Sequence, residues 1–171
     1  FDMLLDNATA GLININLNQR QAVRQAGAFP LPMNDGGAQY FYGVPKPGQT
    51  LEEVERLLLD QVDLIKRGEF DDWLVEAVVN DFKRKRKTDL ENDEDRVQTM
   101  RSSWIGLEPW ERAAGMVARL EKVTRDDVVR VANQYFSGGH VAGFREDADR
   151  DPVRVEKPPL PPLEIDATRQ S

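Results

Sequence analysis

Residues 49–82, QTLEEVERLLLDQVDLIKRGEFDDWLVEAVVNDF, constrain the fold more than any other stretch, because they encode two amphipathic helices together with their boundary signals. Leu51, Val54, Leu57, Leu58, Val62 and Ile65 recur at steps of three and four, which places them on one stripe of a 3.6-residue helix. Glu52, Glu55, Arg56, Asp63 and Lys66 fall mostly elsewhere. Thr50 with Glu53 has the spacing of a capping box, and Gly68 after Lys66 and Arg67 supplies the left-handed residue favoured where a helix stops. Asp71 and Asp72 put negative charge at the start of a second helix, whose Leu74, Ala77, Val78 and Phe82 form the next apolar stripe. Both stripes demand a partner surface. The hairpin specifies a fold and no chemistry.

A chain of 171 residues is long enough to bury a core as one domain, or one domain with a tail. Its net charge of −7, from 30 acids and 23 bases, disfavours a general affinity for nucleic acid or an anionic membrane. No run approaches the ~18 consecutive apolar residues of a membrane span. The opening FDMLLDNATAG lacks the charged start and long apolar stretch of a signal peptide, although an exported parent protein stays compatible with it. With no cysteine there is neither a disulfide framework nor a thiolate site, which fits reducing and oxidising compartments alike.

Residues 1–6 read as the end of a helix or strand that starts without a cap, as though the sequence began inside a larger protein. In 9–18, TAGLININLN, positions 12, 13 and 17 suit a short helix and 13, 15 and 17 an alternating strand; helix is preferred. Val23, Phe29 and Leu31 alternate through 21–31, where Pro30 and Pro32 require a sheet edge or strand end. Asn34-Asp35-Gly36-Gly37 is turn chemistry, since these residues accept positive φ cheaply, and Ala38 to Val44 is the second arm of a β-hairpin. Pro45, Pro47 and Gly48 end it.

After the central hairpin, Lys83 to Lys87 spell KRKRK and Asp89, Glu91, Asp93, Glu94 and Asp95 follow. Helical spacing pairs Lys85 with Asp89 and Lys87 with Glu91, so a solvated helix face is expected; the acidic neighbours cancel the field that a nucleic-acid patch would need. Val97, Met100, Trp104 and Ile105 suggest a further helix, and Pro109 starts one holding Trp110, Ala113, Ala114, Val117 and Leu120; both apolar sets read as core. Thr124, with Asp126 and Asp127, caps a last helix bearing Val128, Val129, Ala132, Tyr135 and Phe136, which stops at Gly138-Gly139. A short strand is expected over 140–145. From 148 to 171 the composition changes, and prolines at 158, 159, 161 and 162 favour an extended spacer. The expected folded module is therefore 1–147 and the linker 148–171.

The single histidine, His140, limits the chemistry. A histidine-based catalytic zinc site needs two or three histidines with a carboxylate, and an H-x-x-E-H helix needs two on one face. His140 alone builds neither and reads as a strand-end residue. No G-x-S-x-G, G-x-x-x-x-G-K-[ST] or G-x-G-x-x-G occurs, and Asp93-Glu94-Asp95 lacks the spacing of a calcium loop. No catalytic, cofactor-binding or metal-binding residue is assigned.

Several longer stretches carry a resemblance. LLDNATAGLININL, YFYGVPKPGQTLEEVERLLLDQVDLIKRGEFDDWLVEAVVNDF with the turn ahead of it, the Trp110-Glu111 segment, LEKVTRDDVVRVANQYF and the tail KPPLPPLEID together resemble the insulinase/pitrilysin family of zinc metallopeptidases over nearly the whole chain. More narrowly, the sequence is similar to the non-catalytic module that follows the metal-binding module in long bacterial members. In that family zinc is held by an H-x-x-E-H helix and a distant glutamate of the first module, none of which occurs here. Members also draw an Arg and a Tyr, seven positions apart, from a later module toward the substrate. Ala22 and Phe29 occupy that spacing here, with Arg20 and Arg24 the nearest basic residues, so no catalytic residue is carried over.

The resemblance implies an α+β module with an antiparallel-rich sheet and a block of helices on one face, further strands lying upstream of Phe1. It also implies a role as one wall of a chamber that holds a peptide, with zinc in the parent's catalytic module and none in this fragment. The implied partners are an upstream metal-binding module of the same chain and a peptide substrate; neither nucleic acid nor membrane is expected. A scaffold module descended from such peptidases, assembling complexes without proteolysis, is the alternative.

Overall fold

A computed structural model of the chain describes residues 1–7, 10–147 and 156–157. The linker expected over 148–171 lies, apart from Glu156 and Lys157, outside the described residues. The elements run in the order α1 (Asp2–Leu5), a π-helical turn (Asn14–Asn18), β1 (Gln25–Met33), β2 (Gly36–Val44), α2 (Leu51–Arg67), α3 (Asp72–Asp89), α4 (Asp93–Ile105), α5 (Trp110–Ala114), α6 (Met116–Leu120) and α7 (Arg125–Tyr135). This is an α+β fold: among the described residues, one antiparallel hairpin is backed by helices.

The central helical pair forms as its signals dictate. Thr50 accepts from the Glu53 N–H and Glu53 from the Thr50 N–H, which closes the capping box, and Gly68 ends α2 at φ 69°. Val54, Leu58, Val62 and Ile65 are buried on the expected stripe, and so is Gln61. Gln61 stays satisfied because its amide donates to the Leu57 carbonyl and its oxygen accepts from Asn16 at 2.8 Å. That bond ties α2 to the π-helical turn, whose flanking Leu12 and Ile13 and own Leu17 are the helical set and are buried.

The core lies between α2 and the inner face of the hairpin, where Ala26, Ala28 and Phe41 point. Val54 and Leu58 pack onto β2 at Gly43, a position with no side chain to hold them off. α7 closes the other side through Val128 and Ala132. Arg125 of α7 clasps the α2–α3 junction: it pairs with Asp72 at 2.6 Å, donates to the Gly68 carbonyl and lies 5.2 Å over the Phe70 ring. Asn133 donates to the Lys66 carbonyl at 2.8 Å. Two carbonyls left open at the C-terminus of α2 are thus satisfied from α7.

Five expectations need correction. First, the strand over 140–145 does not form; residues 140–147 have no regular structure, with Val141 wholly exposed and no sheet partner beside them. Second, α4 is a helix, but Val97, Met100, Trp104 and Ile105 are not core: they are 55–83% exposed. Third, the helix beginning after Pro109 breaks at Gly115 into α5 and α6. Fourth, Lys85–Asp89 and Lys87–Glu91 do not pair; Lys83 reaches Glu121 instead and Arg84 binds Asp81 at 2.5 Å, one turn in the N-terminal direction. Fifth, α7 ends at Tyr135 with Phe136 as its C-cap, ahead of Gly138-Gly139, and Tyr135 is exposed. The Phe136 ring stacks on Phe1 at 4.3 Å, which stops the chain there by packing.

Candidate functional site

The hairpin turns differently from the expected chemistry. Asn34 and Asp35 alone form the turn, Met33 pairs with Gly36, and none of the residues 34–37 has a positive φ. Both glycines are therefore strand residues, and the register runs Gln25↔Val44, Gly27↔Tyr42, Phe29↔Tyr40 and Leu31↔Ala38.

Because side chains alternate along a strand, this register collects one outward face. Phe29, Leu31 and Met33 of β1 lie beside Tyr40, Tyr42 and Val44 of β2, and all six are exposed. Phe29 and Tyr40 stack with ring centroids 5.4 Å apart. The Tyr42 ring lies across Gly27, where a Cβ would come within 2.6 Å of it, so any side chain there would push the ring aside. Asp35 at the tip is the only charged residue from Gln25 to Val44. A contiguous apolar, aromatic, nearly uncharged face of this kind is uncommon on the surface of a monomer.

A second apolar surface adjoins the tip. Asn34 Nδ2 donates to the Ile105 carbonyl at 3.1 Å, which brings the turn to the C-terminus of α4. The exposed stripe of α4 ends there and is extended by Leu107, which is 81% exposed and holds φ 53°. The Leu107 N–H donates to the Trp104 carbonyl and the Glu108 N–H to the Ser103 carbonyl, the bond pattern of a Schellman C-cap with leucine where glycine is usual.

The residues singled out from the sequence are dispersed. His140 Nε2 lies 2.6 Å from Glu55 Oε1 on the exposed side of α2, so it tethers the segment after α7 and does not end a strand. Among the described residues no group of three or more His, Asp or Glu is placed to hold a metal ion. Ala22 is half-buried before β1, its carbonyl accepting from Gln49 at 3.0 Å, while Phe29 sits on the aromatic face. Arg20 and Arg24 are exposed in the turn that precedes β1. The KRKRK run is split between Glu121, Asp81 and, through Arg86, Thr99 at 2.9 Å. An open cleft between α3, α4 and α6, bordered by Phe82, Arg86, Asp89, Thr99, Glu108 and Met116, holds the Arg86–Thr99 bond.

Sequence reasoning missed the aromatic face, yet a signal for it exists. Tyr40-Phe41-Tyr42 is apolar at consecutive positions, the mark of a strand covered on both sides, whereas a strand with one wet face alternates. Two turn and cap carboxylates follow ordinary logic. Hydrogen bonds from the Thr124 hydroxyl and N–H hold Asp127 below the usual carboxylate range, and a hydrogen bond from Arg67 does the same for Glu69.

The chain is similar in fold to part of a protease from Helicobacter pylori, with a TM-score of 0.71 and 17% sequence identity over 79% of this chain. The fold is protease-like. The chain spans 33% of the length of that protease. No family model and no curated protein matches the sequence.

Proposed function

We propose that this chain is a non-catalytic, substrate-enclosing domain of a zinc metallopeptidase of the insulinase/pitrilysin type, working with a separate metal-binding module. The observation that carries the reading is the outward aromatic face of the hairpin, Phe29, Tyr40 and Tyr42 with Leu31 and Met33, on a fold shared with part of a protease. The sequence resemblance supports the same assignment. Such a face holds an unfolded peptide by apolar contact that tolerates many sequences, and a closed wall excludes water and restricts how a substrate orients at the metal. Zinc belongs to the partner module in this reading, and the peptide lies in the space the two share.

Deleting residues 1–147 from a protein that carries both modules tests it. Zinc content is expected to stay intact while peptide turnover falls strongly. Loss of zinc on deletion would place ligands or essential support in this domain, and unchanged turnover would remove its role. Replacing Arg20 or Arg24 alone should cost far less; abolition of turnover by either, with folding and zinc unchanged, would put a catalytic residue here.

A scaffold role without proteolysis is favoured by one observation, the exposed stripe of α4 from Val97 to Trp104. The two readings separate on whether the assembly contains an H-x-x-E-H helix.

A further inference from the structure

One segment of the same chain matches the outward face of the hairpin. Residues 158–163, Pro-Pro-Leu-Pro-Pro-Leu, are uncharged and lie between Lys157 and Glu164. They fall outside the described residues, so the match is one of chemistry and length. Prolines at this density favour the polyproline II helix, which has three residues per turn. Its three edges would carry Pro158 with Pro161, Pro159 with Pro162, and Leu160 with Leu163, all of them apolar. Four of the six residues have no N–H, which leaves too few donors to join a sheet as a strand. What the segment offers is a stiff, ready-extended row of apolar side chains, the form that aromatic-lined surfaces bind.

The hairpin supplies such a surface. Phe29 and Tyr40 stack, the Tyr42 ring lies across Gly27, and Leu31, Met33 and Val44 complete the exposed patch. From the Gln25↔Val44 pair to the Met33↔Gly36 pair the face runs about 27 Å, and six residues of polyproline II helix need about 19 Å. Its one charge, Asp35, sits at the tip, whereas the exposed stripe of α4 lies among Asp93, Glu94, Asp95, Arg96 and Arg101. An uncharged segment therefore suits the hairpin better than the helix. The path of the chain allows the contact. His140 is held 2.6 Å from Glu55, next to Val54, and Val54 packs on Gly43 of β2. From His140 to Pro158 the chain spans up to about 60 Å, roughly twice the length of the hairpin.

We propose that residues 158–163 dock as a polyproline II segment on the outward face of the hairpin, against Phe29, Tyr40 and Tyr42, and so cover that face from within the chain. Tethering holds the segment at an effective concentration on the order of millimolar, so weak apolar contact suffices. The inference goes beyond the enclosing role and stands without it, since it rests on the face and the segment alone. In the enclosing role the face then serves two ligands, one tethered and one free, that exclude each other.

NMR of the full 171-residue chain tests it, beside a variant with Pro159→Gly and Pro162→Gly and with the synthetic peptide Lys-Pro-Pro-Leu-Pro-Pro-Leu-Glu as a free probe. Both substitutions lie beyond Phe136, the last described residue packed on the core, so the variant should fold as the parent does. Nuclear Overhauser contacts are expected from the Leu160 and Leu163 methyls to the Tyr40 and Tyr42 rings of the parent chain, unchanged on dilution and lost in the variant. The probe should bind the vacated face of the variant about fivefold or more tighter than it binds the parent, where the tethered segment competes. Absence of those contacts in the parent, or contacts to Met100 and Trp104 in their place, would overturn the proposal. So would contacts that fade on dilution, which would give the segment to a second copy, and equal affinity or no binding of the probe in the two chains.

Discussion

Asn34 and Ile105, 71 residues apart in sequence, are joined by a 3.1 Å hydrogen bond from the Asn34 side-chain amide to the Ile105 carbonyl. The bond draws the hairpin tip to the end of α4 and so sets the aromatic face beside the exposed helical stripe. Being exposed, it contributes little energy. Asn34→Ala should lower stability by no more than about 1 kcal/mol in urea unfolding, while amide exchange quickens at Met33 and Gly36. A loss well above that would mean the tip contact supports the core.

The stripe of α4 separates pattern from burial. Replacing Val97, Met100 and Trp104 by serine should each shift stability by about 0.5 kcal/mol or less, as surface changes do. Ile65→Ala, at a fully buried site, should cost about 2–5 kcal/mol. Denaturant midpoints of the four variants decide the matter; unfolding of a serine variant would restore the stripe to the core.

Leu107 holds a left-handed backbone at the end of α4. Leu107→Gly relieves that strain and should leave the chain as stable or raise its stability by about 1 kcal/mol. The gain is partly offset by the greater freedom of glycine in the unfolded chain. Thermal unfolding reads the sign, and a clear loss would show that the leucine side chain packs.

Asp127 gives the pH dependence a sign. Its pKa is lowered in the folded chain by the Thr124 hydroxyl and N–H, so the folded state favours the ionised form. The stability it contributes is present above the ordinary carboxylate pKa of about 3.9 and is lost as pH falls through the depressed value. Carboxyl NMR titration of Thr124→Ala should move Asp127 upward toward the ordinary value. No movement would assign the shift to Arg130.

The parts of this fold that sequence makes legible are those set within one or two turns. Thr50 with Glu53, Gly68, and Thr124 with Asp127 act on backbone groups three or four residues away, so spacing alone reveals them. Periodicity likewise yields the face of α2. It shows that α4 has an apolar stripe without showing what covers it, since burial depends on what stands opposite. The strand expected over 140–145 fails for the same reason: an extended segment becomes a strand only beside a partner. The hydrogen bonds that Asn18 and Asp6 accept from β1 reach across eight and 22 residues, and no local pattern announces them. The aromatic face was half legible, in the unbroken Tyr40-Phe41-Tyr42 run.

The central claim is that this domain holds peptide and does no chemistry on it. NMR titration of the 171-residue chain with a long unstructured peptide, followed by mass spectrometry of the recovered peptide, tests it most directly. The account predicts shifts concentrated at Phe29, Leu31, Tyr40 and Tyr42, with the peptide recovered intact whether or not zinc is added. Cleavage that requires zinc and stops on chelation, or binding that leaves those four residues unmoved, would contradict it.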